Sequence, residues 1–266
     1  MGKKGVPELV SLSISAWSLK ARFALKHHAI KYRTTPYMPL ISELTLRLRL
    51  WEWRRKLTVP IMFTPSDGVL MQSYDIARWA DAHSARPGAE VLFPPGKEAE
   101  IGSWNDKSDA VLFYGRAALV ESLLEEPSEL RTLVPGSLRW LGPLGVAFVR
   151  TVTLRLRNKY RAEGSSTSLD KALEVLREAK ASLRASPPGP DGLPHLVGSS
   201  LTYADMAVAV AVQSIKPLGP PFANNPRPGL KQLQPYQDEF AELVAWRDAL
   251  FAKHYPVDSD RKKKAE

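Results

Sequence analysis

Apolar and polar residues alternate over residues 8–14 (ELVSLSI), the period of a strand, and the period changes at Ala16. Trp17, Ala21, Ala24, Leu25 and His28 then fall at i, i+4, i+7, i+8 and i+11, a single helix face. Residues 31–37 read as a second strand running into Pro36 and Pro39, so the chain opens with a βαβ unit. The Leu- and Arg-rich stretch 42–57 predicts a helix. Val59-Pro60-Ile61-Met62-Phe63 is a short apolar run, and the turn Ser66-Asp67-Gly68 leads into the strand Val69-Leu70-Met71. Ser73 is placed to cap a further helix, with Ile76, Trp79, Ala80 and His83 along one side. The resulting order is β-α-β-α-β-β-α.

Pro87, Gly88, Pro94, Pro95 and Gly96 crowd the stretch from Ala85 to Lys97, which reads as a linker. It divides a first domain, 1–86, from a second, 98–256, with no convincing strand after Glu98. Helical segments are expected near 98–125, 138–161, 168–185, 202–214 and 236–252. The segment 202–214 is apolar nearly all round, the pattern of a helix buried on every side. Its opening, Thr202-Tyr203-Ala204-Asp205, puts Thr at the N-cap and an acid three residues on, a capping-box variant. Region 127–161 enlarges this domain, and residues 257–266 form a basic tail expected to be disordered.

The 266 residues contain 44% hydrophobic and 24% charged residues, the balance of a soluble globular protein. There is no cysteine, which excludes disulfides, thiolate metal sites and a protein-borne cysteine nucleophile. Met1-Gly2-Lys3-Lys4 lacks a signal-like apolar stretch, and no uncharged run reaches the roughly 18 residues of a membrane-spanning helix. A cytoplasmic location is the expectation. The net charge of +9 sits in short runs without interleaved aromatics or a reading motif, so nucleic acid is not an expected partner. A solvated basic surface, or attraction of an anionic small molecule, accounts for it. The five histidines show no metal spacing: His27 and His28 point about 100° apart on a helix. No metal is expected.

Four local features then give the chain a resemblance. The first strand ends in Ser15-Ala16-Trp17-Ser18 at the mouth of the first helix. Val59-Pro60 precedes the third strand, Gln72-Ser73 follows the fourth, and Ser200-Leu201-Thr202-Tyr203-Ala204-Asp205 opens the apolar helix. In this order and architecture they resemble serine-type glutathione S-transferases, and the enlarged 127–161 region is similar to that of poorly characterised bacterial members. The resemblance implies a thioredoxin-like α/β domain with a four-stranded mixed sheet, followed by an all-α domain. It implies a homodimer and glutathione as co-substrate. Ser15 is then the thiolate-stabilising residue and Ser18 the second candidate donor. A cis Val59–Pro60 peptide presents the Val59 backbone to the cysteinyl part. Gln72 and Ser73 meet the γ-glutamyl end, and Lys56 or Arg55 the glycyl carboxylate. Trp17 forms one wall of the pocket for the second substrate, and Tyr114 and Arg116 the other.

The energetics of that chemistry are modest. A thiol ionises near 8.5, and half-ionisation at pH 7 needs a shift of about 1.5 units, roughly 2 kcal/mol. A hydroxyl hydrogen bond to a charged group contributes about 1.5–3 kcal/mol and a helix N-terminus about 0.3–1. Ser15 could supply both, or act only as an N-cap. Two functions follow. One is a glutathione-dependent transferase or isomerase acting on an apolar electrophile. The other is a weakly catalytic or non-catalytic binding protein for a large apolar anion such as haem or another tetrapyrrole. Gly145, Val149, Val152, Leu156 and Tyr160, flanked by Arg150, Arg157 and Arg161, carry that second expectation; ordinary packing would produce the same face.

Overall fold

The computed structural model describes residues 5–38, 41–54, 56–125, 127–132, 134, 136–163, 167–219, 222 and 230–255. Arg55 and the tail 257–266 lie outside these. The first part of the chain is β1 (Glu8–Ser11), α1 (Ala16–His27), β2 (Arg33–Pro36), α2 (Ile41–Leu50), β3 (Ile61–Phe63), β4 (Val69–Leu70) and α3 (Ser73–Ala82). The strands form one mixed sheet in the order β2-β1-β3-β4. β1 is parallel to β2 and antiparallel to β3, and β3 is antiparallel to β4. From residue 98 the described residues hold six α-helices: α4 (Glu98–Glu125), α5 (Pro127–Thr132), α6 (Pro143–Glu163), α7 (Leu169–Ala185), α8 (Tyr203–Ala211) and α9 (Ala241–His254). The only pairing there is an isolated bridge between Pro188 and Pro194. Among the described residues no helix is long and apolar enough to cross a membrane.

Two helices end sooner or more sharply than periodicity suggests, for one reason. At α1 the Ile30 N–H donates to the Leu25 carbonyl and the Ala29 N–H to that of Lys26, with Ala29 at φ 52°. At α2 the Glu52 N–H donates to Arg47 and the Trp51 N–H to Leu48, with Trp51 at φ 52°. Both are Schellman caps with a non-glycine residue in the left-handed position. The second cap stops α2 at Leu50, so the helix expected over 42–57 is shorter. Likewise the segment expected over 138–161 splits: Gly136–Leu141 is a 3₁₀ turn, Gly142 reverses at φ 54°, and α6 begins at Pro143.

The core runs through both parts. All nine residues of α8 are buried, and α8 packs against α4 and α1. Asp205, fully buried, accepts from the Thr202 N–H (2.8 Å), the Thr202 hydroxyl (3.1 Å) and the Leu196 N–H (2.8 Å). The enlarged region packs inward: Val149 of α6 closes a cluster with Leu123, Leu130 and Val134. Gly145 is buried, Val152 and Leu156 are half-buried, and the Tyr160 and Arg161 side chains lie outside the description. The apolar face of α6 is therefore spent on α4 and α5, with Arg150 exposed.

At the far end of the sheet Glu8 is 7% exposed and accepts from Arg49 (2.8 Å), Arg33 (2.9 Å) and Thr35 (2.7 Å). Arg49 also lies 3.5 Å from the Phe63 ring centroid. The Arg49 hydrogen bond holds the Glu8 carboxyl down to about 2, against burial, with Thr35 and Arg33 adding to it. A lowered carboxyl stabilises the fold fully above its unfolded value and loses that contribution as pH falls through the folded one. Chemical denaturation between pH 4.5 and 2 should therefore show stability falling in the native chain and falling less steeply in Glu8→Gln. Identical slopes would remove Glu8 from the account.

Candidate active site at the carboxyl end of the first strand

The strand register gathers the candidate residues. Val10 pairs with Ile61 and Glu8 with Phe63, while Met62 pairs with Leu70 and Phe63 with Val69. β1 therefore ends where β3 begins and β4 ends. Ser15 after β1, Val59–Pro60 before β3 and Gln72–Ser73 after β4 come to the same end of the sheet.

Ser15 is half-buried with an extended backbone at the N-cap of α1, and its Oγ accepts from the Ser18 N–H at 3.3 Å. A serine hydroxyl carries one donor and two acceptor positions, so this cap leaves the O–H proton available. The first turn of α1 holds no acidic residue, and the positive end of the helix is not neutralised from within. Ser18 differs. It is fully buried, and its Oγ accepts from the Leu12 N–H at 3.3 Å, which fastens the loop between β1 and α1. That inward position withdraws it from the cleft as a donor.

The Val59–Pro60 peptide is cis, with Val59 half-buried and Pro60 buried. Gln72, rather than Ser73, takes the N-cap position of α3, and its side chain makes no cap hydrogen bond. Ser73 is the first helical residue and is 6% exposed. The expected Ser73 cap is thus displaced by one residue, because Gln72 keeps the extended backbone of β4. The fully buried Tyr203 hydroxyl lies beside Ser73 without meeting a partner in hydrogen-bond geometry, and burial keeps the phenol protonated. Lys56 is exposed, in the stretch between α2 and Val59.

Across from α1 stands α4. The Trp17 and Phe113 ring centroids are 5.2 Å apart, and the Arg116 guanidinium lies 4.9 Å from the first and 5.1 Å from the second. Trp17 and Arg116 therefore meet, joined by Phe113, which the sequence reading passed over. The available signal was the three-residue spacing of Phe113 and Arg116 on one helix face. Tyr114 is half-buried against the main core, and burial, with Tyr236 adding to it, raises its phenol above the ordinary value. Two surface clefts, of about 320 Å³ against Leu183, Leu243 and Trp246 and about 230 Å³ against Arg78 and Phe93, include none of the candidate residues.

The two walls are tied by Lys20, fully buried on α1. Its ammonium donates to Asp109 (2.7 Å), Ser108 (2.7 Å) and Asn105 (3.2 Å) of α4. Burial pulls its pKa below the ordinary value, and Asp109 opposes that shift.

Residues 14–83 match the family model described as the glutathione S-transferase N-terminal domain. With the sheet, the helical second part and the structural matches below, the chain has the glutathione S-transferase fold. It is similar to glutathione transferase GSTFuA2 from Phanerochaete chrysosporium at 20% identity and TM-score 0.62, covering 96% of this chain and 100% of that one. It is also similar to a glutathione S-transferase from Methylobacillus flagellatus solved with glutathione bound, at 15% identity and TM-score 0.54, covering 97% and 98%. A possible glutathione S-transferase from Rhodopseudomonas palustris matches at 16% identity and TM-score 0.55, covering 96% and 97%. No curated protein matches the sequence.

Breaking the Lys20 tie from one side should cost more than removing it. Asp109→Asn leaves a buried ammonium without its counter-charge, a loss of about 3–5 kcal/mol. Lys20→Met replaces the cation with an apolar chain of similar length and should cost distinctly less. Urea denaturation of both variants decides, and equal losses would contradict the electrostatic reading.

Proposed function

We propose that the protein is a glutathione-dependent transferase or isomerase acting on an apolar electrophile, with Ser15 as the donor to the glutathione sulfur. One observation carries the reading: a serine N-cap with a spare hydroxyl proton shares a sheet end with a cis Val59–Pro60 peptide and the start of α3. The Methylobacillus flagellatus structure, solved with glutathione bound, supports the choice of co-substrate.

Glutathione supplies the thiol that this chain lacks. Ser15 keeps its Oγ lone pair on the Ser18 N–H and directs its proton outward, where a sulfur anion is favoured over the neutral thiol. The α1 N-terminus adds to that preference. The Val59 backbone accepts and donates along the extended tripeptide. Ser73 and the first N–H groups of α3 hold the γ-glutamyl carboxylate, and Lys56 the glycyl one. Trp17, Phe113 and Arg116 line the side from which the electrophile arrives, and their rings suit an apolar body with an anionic substituent. The protein works as a homodimer of two-domain subunits divided within 87–97.

Calorimetric titration with glutathione should give binding in the native chain that Ser73→Ala weakens by about 1–3 kcal/mol, the loss from unpairing a charged group. Ser15→Ala should retain binding while the bound thiol, followed by thiolate absorbance against pH, titrates about 1–2 units higher. Ser15→Thr keeps both hydroxyl and cap and should restore the native value. Absence of glutathione binding at millimolar concentration in the native chain would overturn the proposal.

A further inference from the structure

The fold assembles a second cluster of ligating groups at the other end of α1. His27 closes that helix, twelve residues or about 18 Å from Ser15. There it meets Glu90 of the segment between α3 and α4, and His254, the last residue of α9. One ligand atom from each lies within 4.8 Å of the other two. His27 Nε2 is 3.5 Å from a Glu90 carboxylate oxygen, and His254 Nδ1 is 3.9 Å from the other.

We propose that His27, Glu90 and His254 form a zinc site that fastens α9 to α1 and to the segment between α3 and α4. Two imidazoles and one carboxylate are a recognised zinc set, with bonds of about 2.0–2.2 Å and a fourth position left for water. Tetrahedral geometry at those lengths puts ligand atoms roughly 3.3 Å apart. The His27–Glu90 separation of 3.5 Å is within a few tenths of an ångström of that, the His254–Glu90 separation of 3.9 Å is about 0.6 Å longer, and the three ligand atoms lie within 4.8 Å of one another. Glu90, whose side chain is 32% exposed, is the ligand able to move, and it opens the site to solvent.

The surroundings fit an ion rather than three unrelated contacts. His254 Nε2 is held by Asp191 at 2.7 Å, so its Nδ1 is aimed into the cluster. A carboxylate behind a ligating histidine is the arrangement that fixes ring orientation at metal centres. His27 has a fully buried side chain. Its Nε2 faces the Glu90 carbonyl at 3.2 Å; to bind an ion, Nε2 gives up that N–H donation and the ring proton moves to Nδ1. Its Nδ1 is buried without a partner. The cations nearby are Arg86 and Lys253, the latter bonded to the Asp191 carbonyl. The carboxylates of Glu90 and Asp191 offset them.

The site shares no residue with the glutathione reading, and each can fail alone. The tag-free full chain, stripped with a chelator, is titrated with zinc by calorimetry and with cobalt by visible absorbance. The expected result is one ion per chain with a ligand-field spectrum of nitrogen and oxygen donors. Glu90→Gln and His254→Gln should each weaken zinc binding at least tenfold. Asp191→Asn, which keeps all three ligands, should weaken it about 10–100-fold. Because His27 is packed inside, the partly exposed Glu90 is the primary variant, with folding checked by circular dichroism. His83→Gln, at a histidine outside the cluster, should leave the affinity unchanged. No bound ion at 100 µM free zinc, an affinity unmoved in Glu90→Gln and His254→Gln, or a loss in His83→Gln would overturn the site.

Discussion

A carboxylate without water organises the second part of the chain. Asp205 is fully buried, and burying an ionised carboxylate is prohibitive unless its oxygens are paired. Two backbone N–H groups and one hydroxyl meet them. The same carboxylate supplies an acceptor at the start of α8, a helix with no polar face that could survive only inside the protein. His195 stands next, 3.4 Å from Asp205 and 3.0 Å from Asp191. Burial opposes a charge on it, and the two carboxylates prevail and raise its pKa. Asp191 is in turn drawn down to about 2: burial opposes ionisation, but the Leu193 N–H, His254 and His195 outweigh it. The line Asp205–His195–Asp191–His254–Glu90–His27 thus runs from the core helix to the first helix, alternating acid and imidazole.

The end of the sheet that carries Ser15 depends on this line indirectly. α8 supports α1 and α4 from beneath, and Lys20 ties those helices to each other. Packed interiors transmit such positions with little compliance. The Trp17–Phe113–Arg116 cluster is therefore a consequence of where α8 sits, although none of its residues belongs to α8. The nine consecutive buried positions of α8 and the single buried acid at its start express one requirement.

Much of the fold was legible because it is written locally. The shift from period two to period 3.6 at Ala16, the apolar run at 203–211 and the Thr202–Asp205 spacing each act within a few residues. The Ser15 cap was legible for the same reason. Ser18 was not, because a serine one turn into a helix looks alike whether it faces a cleft or the Leu12 N–H behind it. Phe113 was missed because its partner Trp17 lies on another element, and Tyr114 was chosen with Arg116 from the place of α4 in the resembling family. The short α2 was misread because a Schellman end with Trp51 in the left-handed position carries no glycine to announce it. The meeting of His27 with His254 was furthest from view: spacing along a helix says nothing about residues near opposite ends of the chain.

The basic charge also changes meaning once its partners are placed. Arg33 and Arg49 are bound to Glu8, Arg47 to Glu43, Arg177 to Glu239 and Arg184 to Glu242. The largely exposed pairs Arg177–Glu239 and Arg184–Glu242 contribute about 0–1 kcal/mol each, so they do not explain the stability of the fold. They do fix where positive charge is cancelled. The buried Arg247 donates from Nη1 to the Lys216 carbonyl and from Nε to Asp248. What remains is spread over exposed positions such as Arg150 and Arg155 of α6, a helix whose apolar face is already covered. Charge of that kind raises the local concentration of anions and quickens their arrival without specifying a site. What the geometry adds is the convergence of the Ser15 cap and two helix N-termini at the end of one sheet.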